Sequence, residues 1–231
     1  MCGRYTITVS WDELVLHFLL DRRSAKYAPR YNVAPGQWIP AIIGSIREGS
    51  ELQQTLNRFG ELRWGLVPSW AKDDKSAARM INARSESAGE KPSFRPLLKS
   101  KRCIIPADGF YEWSRSGATK QPFRITLQDG GLFGMAALYD TWLMPAGEKL
   151  HTCTILTTEA NELIRGIHER MPVILDREGE RLWLDRGIRE ERKLLPLLVP
   201  YPADKMRMYE VNPKVGRVQY DAPDCIEPLV L

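Results

Sequence analysis

The chain is 231 residues long, 43% hydrophobic and 27% charged, with 33 Lys and Arg against 29 Asp and Glu. Such a composition belongs to an ordinary globular protein with enough length for a sizeable core, and the net charge of +4 permits a nucleic-acid partner without demanding one. No stretch approaches the ~18–20 apolar residues that span a bilayer, and no charged-then-apolar signal opens the chain, so a cytoplasmic protein with no membrane partner is expected.

In chain order, Met1-Cys2-Gly3-Arg4-Tyr5 comes first. Loss of Met1 would leave a cysteine with both an α-amine, of pKa about 7.7–8.0, and a thiol, of about 8.5. Such a 1,2-aminothiol condenses with an aldehyde to an imine, and its thiol then closes a five-membered thiazolidine. Taken alone, Cys2 reads as the second residue of a start sequence.

Residues 5–9 alternate large apolar with polar and predict a strand that anchors the N-terminus in a sheet. Ser10 and Glu13 form a capping box for a helix of about ten residues, with Trp11, Leu14, Val15, Phe18 and Leu19 as its apolar stripe and His17 as a structural side chain. A proline-punctuated loop is expected over 29–36, strands over 38–43 and 62–67, and a hairpin or surface excursion over 44–60. Beyond these, strands are expected over 102–106, 110–114, 122–127, 132–139, 150–156 and 206–211, with turns at Gly117 and at Asp129-Gly130-Gly131. Helices are expected over 159–165, 178–184 and 189–197. Many short strands with a few helices point to one α+β domain over 1–231, built on a curved, largely antiparallel sheet or open β-barrel.

Cys2, Cys103, Cys153 and Cys225, with His17, His151 and His168, lie too far apart for a ligand set, so neither metal, cofactor nor disulfide framework is expected, and Cys103 and Cys153 read as core. The basic runs Arg22-Arg23 and Lys99-Ser100-Lys101-Arg102 read as solvated faces.

Four clusters carry chemistry. In Ile81-Asn82-Ala83-Arg84-Ser85-Glu86 an extended chain would put Asn82, Arg84 and Glu86 on one face, as a ligand-orienting row or as an ordinary strand edge. In Gly109-Phe110-Tyr111-Glu112-Trp113 the carboxylate is either desolvated, and so fit for acid–base work, or turned to water while its neighbours face the core. His168, in Gly166-Ile167-His168-Glu169-Arg170-Met171-Pro172, falls in a loop and reads as a proton carrier or as a satisfied surface side chain. Arg63-Trp64-Gly65-Leu66-Val67-Pro68-Ser69-Trp70 suits a rigid aromatic platform. Bases stack on such platforms with about 1–3 kcal/mol each, so Trp70 with Arg4 and Arg84 suits a single strand, while Trp64 also reads as core.

Together with Tyr31-Asn32-Val33-Ala34-Pro35, these motifs, ordered from residue 1 to 172, resemble the SOS-response-associated peptidase family. The resemblance implies a protein that recognises abasic sites in single-stranded DNA and crosslinks to them through Cys2 as a thiazolidine, with possible lyase activity and self-removal of Met1. It implies an active site of Cys2, Asn82, Glu112 and His168, with Arg4, Trp70, Arg84 and Thr157 on the DNA. A monomer, associated with the nucleoid when on DNA, is expected. A cysteine peptidase with Cys2 as nucleophile and His168 as base, and a non-catalytic single-strand binder, are the rival readings. The segments 44–60 and beyond Asp176 carry none of the motifs.

Overall fold

The computed structural model describes residues 2–21, 27–45, 56–75, 77–114 and 120–229. Its strands in chain order are β1 (Tyr5–Ile7), β2 (Arg30–Val33), β3 (Trp38–Ile43), β4 (Arg58–Trp64), β5 (Asn82–Arg84), β6 (Arg102–Ala107), β7 (Gly109–Trp113), β8 (Pro122–Leu127), β9 (Phe133–Leu143), β10 (Lys149–Glu159), β11 (Arg170–Pro172), β12 (Ile174–Leu175) and β13 (Met206–Glu210). The helices are short: α1 (Trp11–Phe18), α2 (Ser85–Ala88), α3 (Arg95–Ser100), α4 (Arg177–Leu184) and α5 (Glu191–Leu194).

Strands β10, β4, β3, β6 and β9 follow one another by hydrogen bonding, and β9 pairs back onto β10 from Leu143↔Lys149 to Ala137↔Ile155. Five strands therefore close into a barrel, whose pairings are antiparallel except for β10 with β4. Closure leaves these strands no free edge. It is possible because β9 and β10, at 11 residues each, outrun any single neighbour and bend round the core. The remaining length of β10 carries β5 and β11, so the upper end of one barrel strand organises two of the motifs.

A second, antiparallel sheet runs β13-β8-β7-β1-β2. One buried apolar cluster joins both sheets, from Tyr5 and Ile7 through Ile104, Met135 and Ile155 to Trp183. Cys103 and Cys153 lie in it as expected.

Most predicted elements form close to their predicted bounds. The Ser10–Glu13 capping box is made on both sides, and His17 is structural, its Nε2 lying 3.2 Å from Glu180 Oε1. Four expectations are corrected. Residues 30–33 of the supposed loop are β2, because Tyr5 and Ile7 supply it with a strand partner. Residues 58–60 of the supposed excursion belong to β4, while 46–55 lie outside the described residues, as do Gly117 and Arg22-Arg23. No helix forms over 159–165: β10 stays paired with β11 as far as Glu159↔Arg170, and Asn161 then holds the Ile164 and Arg165 amides in a turn. Arg102 is buried rather than solvated, its guanidinium donating to the Leu98, Trp183 and Asp185 carbonyls.

Two of the glycines that geometry requires adjoin the strands of the motifs. Gly65, at φ +129°, ends β4, and a Cβ there would sit 2.7 Å from the Ala77 carbonyl oxygen. Gly109, at the start of β7, has Arg124 Nε 2.8 Å and Thr6 Oγ1 2.9 Å from where a Cβ would be. Those two side chains meet the buried Asp108 carboxylate: Thr6 Oγ1 donates at 2.5 Å, Arg124 Nη2 lies at 3.3 Å, and the Thr8 amide donates to the other oxygen at 2.8 Å. This cluster clamps β1 against β7. Asp108→Ala, which strands the Arg124 charge in the interior, is expected to lower the unfolding free energy by about 3–5 kcal/mol. The measurement is a fall in the urea midpoint at unchanged m value.

Candidate active site

Cys2 is fully buried at the start of the segment that becomes β1. Tyr5 lies opposite Phe110 and Thr6 opposite Gly109, and the Tyr111 amide donates to the Arg4 carbonyl at 3.0 Å. Extending that register brings Glu112 to the first residues of the chain. Glu112 is 3% exposed, which decides between the two readings left open by the sequence: the carboxylate is desolvated. Burial pushes the Cys2 thiol well above its usual pKa, and the Glu112 carboxylate raises it further. The thiol is therefore neutral near pH 7, and it faces the main chain, with Sγ 3.9 Å from the Arg4 carbonyl oxygen.

Asn82 opens β5, which runs parallel to β10 with Asn82 opposite Ile155. Its Nδ2 donates to the Cys2 carbonyl at 2.8 Å. Its Oδ1 is buried without a hydrogen-bond partner among the described residues, an acceptor held beside Cys2. The strand is only three residues long, because Ser85 begins α2. Arg84 consequently shares the strand with Asn82 and is exposed, whereas Glu86 leaves that face for the first helical turn, contrary to the single row expected for all three.

His168 lies in a loop, as expected, but it is buried, which removes the reading of a surface histidine. Its Nδ1 lies 2.9 Å from the Arg170 amide nitrogen and 3.0 Å from the Arg170 carbonyl oxygen. The neutral ring accepts the amide proton at Nδ1 and carries its own proton on Nε2; a protonated ring donates from Nδ1 to the carbonyl. The main chain of one residue, Arg170, thus offers the imidazole a partner in either charge state.

Thr157 is buried opposite Arg84 and Pro172, with its hydroxyl 3.5 Å from the Ala83 carbonyl oxygen, so it joins β5 to β10 from within. Arg4 is half-buried. It donates to Asn32 Oδ1 at 3.1 Å and to the Val215 and Gly216 carbonyls at 2.6 and 3.2 Å, and it lies 5.9 Å from the Trp113 ring centroid. Three of its N–H groups are engaged in this way, from the five a guanidinium carries. Trp64 is core, with Nε1 bonded to the Ile81 carbonyl, while Trp70 is 68% exposed on a loop pinned by the Ser69 amide to Asp140. Arg84 also lines an open cleft of about 390 Å³ with Glu159, Ala160, Arg165, Glu169 and Arg170.

Cys2, Asn82 and Glu112 are thus gathered at one place, and His168 is tied to the same strand system through Arg170. Among the described residues no hydrogen bond joins Trp70 to them, and no group of three His, Cys, Asp or Glu stands ready for a metal.

Sequence reasoning missed the partners that hold these side chains. Asn32 Nδ2 donates to the carbonyls of Val215, Arg217 and Tyr220, and Asp221 accepts from the Tyr31 and Asn32 amides. The C-terminal segment is a strap over β2 and Arg4. Asn32 was visible as a motif residue; Asp221 carried no local signal.

The SOS response associated peptidase (SRAP) family model matches residues 1–218. The chain belongs to this family. It is 49% identical over 230 residues to abasic site processing protein YoqW of Bacillus subtilis, with 98% of this chain and 99% of that protein covered. It is 35% identical to abasic site processing protein HMCES of Gallus gallus, covering 90% of this chain and 69% of that one. A crystal structure of a protein from Bacteroides thetaiotaomicron superposes with a TM-score of 0.86 at 27% identity, over 99% of this chain and 100% of that chain.

All four cysteines are free and buried, and the thiols of Cys2, Cys103 and Cys153 are pushed far up by burial. Native protein retaining Met1 is expected to react slowly with a thiol reagent at pH 8, and denatured protein to release all 4 thiols at once. Mass spectrometry after brief alkylation checks this; rapid native labelling at Cys2 would contradict the burial.

Proposed function

We propose that this protein processes abasic sites in single-stranded DNA by crosslinking to them through Cys2, once Met1 has been removed. The observation that carries the reading is the convergence on Cys2 of two motif residues far away in sequence: the buried Glu112 carboxylate and the Asn82 amide. The names of relatives that match along nearly the whole chain point the same way.

The freed α-amine attacks C1′ of the ring-opened sugar and expels water as the imine forms. The Cys2 thiol then adds to the imine carbon, its proton passing to the nitrogen, and the thiazolidine closes. Asn82 Oδ1 accepts an N–H of the amine and orients it. Glu112 relays protons during addition and loss of water. The imidazolium form of His168 gives its Nε2 proton to the sugar O4′ as the C1′–O4′ bond breaks and the C1′ hydroxyl loses its proton to water, which opens the aldehyde. Trp70 and Arg84, both exposed, offer a base platform and a phosphate contact. Arg4 keeps two N–H groups for the strand after holding the C-terminal strap. Thr157 supports the site from inside the sheet.

The peptidase reading fits less well. A nucleophilic cysteine needs a depressed pKa, whereas burial and Glu112 both raise that of Cys2. A non-catalytic binder gives no reason for a desolvated carboxylate beside a chain terminus.

Mixing pure protein with an oligonucleotide containing one abasic site is expected to give a slow-migrating covalent band. Cys2→Ala abolishes it, Cys2→Ser leaves only a borohydride-trappable imine, and Glu112→Gln slows its formation by about 10²-fold or more. An undiminished band from Cys2→Ala would sink the proposal. Hydrolysis of added peptides by wild type would favour the peptidase.

A further inference from the structure

Glu86 and Arg170 take no part in the chemistry above, yet they are bound to each other as a fork. Arg170 Nη1 and Nη2 donate to Glu86 Oε1 and Oε2 at 2.7 and 2.9 Å, and Nη2 also reaches the Thr157 carbonyl oxygen at 2.6 Å. A bidentate pair fixes the plane of the guanidinium as well as its place. The Arg170 side chain is 11% exposed and that of Glu86 48%, so the guanidinium is shielded while water reaches the carboxylate. Arg170 also holds the Glu86 carboxyl below its usual range, which keeps the fork charged near neutral pH.

The main chain of the same arginine faces His168. Its amide nitrogen and its carbonyl oxygen lie within 3.0 Å of Nδ1, so the Arg170 main chain determines how the ring is turned. A peptide can hold a ring only as firmly as it is itself held. Here it is secured at three places: β11 pairs with β10, the guanidinium grips the Thr157 carbonyl, and the fork ties it to α2.

We infer that Glu86 and Arg170 are positioning residues for His168, orienting its imidazole so that Nε2 faces the reacting sugar. This inference rests on the reading of His168 as the proton donor of the crosslinking site. Loss of a supporting partner behind a functional histidine costs about 10–100-fold where it has been measured at metal sites, and an effect of that order is expected here. Arg84, Glu159, Arg165 and Glu169 line the same cleft, so the test separates orientation of the ring from attraction of the DNA.

The experiment measures single-turnover crosslinking to an abasic oligonucleotide alongside equilibrium binding to the same sequence undamaged. Glu86→Gln and Arg170→Lys, which lose the charge and the fork respectively, are expected to crosslink about tenfold more slowly while binding intact DNA within about twofold of wild type. Glu86→Asp restores part of the rate. In a His168→Ala background, Glu86→Gln is expected to change the rate no further, because the partner through which it acts is gone. Wild-type rates in both single variants, or an undiminished effect of Glu86→Gln on top of His168→Ala, would overturn the inference. If Glu86→Gln does not fold, Arg170→Lys on the His168→Ala background carries the same comparison. A wild-type protein that forms no crosslink sinks the underlying reading instead.

Discussion

The pairing of β1 with β7 is the interaction on which the site depends, because it converts a chain end into a buried, fixed position. Chain ends ordinarily fray. Here β1 is a three-residue central strand flanked by β2 and β7, and each flank is reinforced by a buried polar cluster. On one side Asp108, Thr6 and Arg124 lock the backbone over Gly109. On the other, Arg4 and Asn32 bind the carbonyls of the C-terminal strap. The segment from Cys2 to Ile7 thus has little freedom to lose when a ligand arrives, and a reactive group held in that way avoids most of the entropic cost of a bimolecular step.

What was legible in the sequence was local. Period-two alternation and the capping box depend on neighbours within a few residues, and those elements stand where the pattern put them. Closure of the barrel was not legible. It needs β10 to pair with β4 in parallel, Thr152 opposite Arg63, and nothing in either segment names the other. The same distinction separates the side chains. Glu112 among aromatics could face core or water on local grounds, and the approach of the N-terminal segment decides it. Arg102 read as solvated because its neighbours are Lys99 and Lys101, yet four carbonyls from α3 and from the end of α4 surround it, and a guanidinium so satisfied tolerates burial.

The motifs were legible as motifs, but their division of labour was not. Each holds a side chain that the proposal uses and one that ties the motif to the rest of the fold. In the NAR segment Asn82 reaches Cys2 while Glu86 grips Arg170. In the HERMP segment the His168 ring meets the Arg170 main chain, while the Arg170 guanidinium grips Glu86. In the first five residues Cys2 is the buried thiol on which the proposal turns, while Arg4 receives the strap. Spacing alone cannot rank the members of such pairs, since both are polar and both belong to the pattern.

The electrostatics of Cys2 bear on the order of steps in the proposed reaction. With Met1 in place, burial and Glu112 raise the pKa of the Cys2 thiol and make it a poor nucleophile near neutrality; loss of Met1 adds an α-amine, whose reference pKa is about 7.7–8.0. The same carboxylate that disfavours a free thiolate is the proton acceptor of the proposed ring closure. It can take the sulfur proton only as the carbon–sulfur bond forms, when no full negative charge has to persist on sulfur. In the proposed reaction the group that delays the thiol is then also the one that lets it close the ring onto an imine, so amine first and thiol second both draw on Glu112.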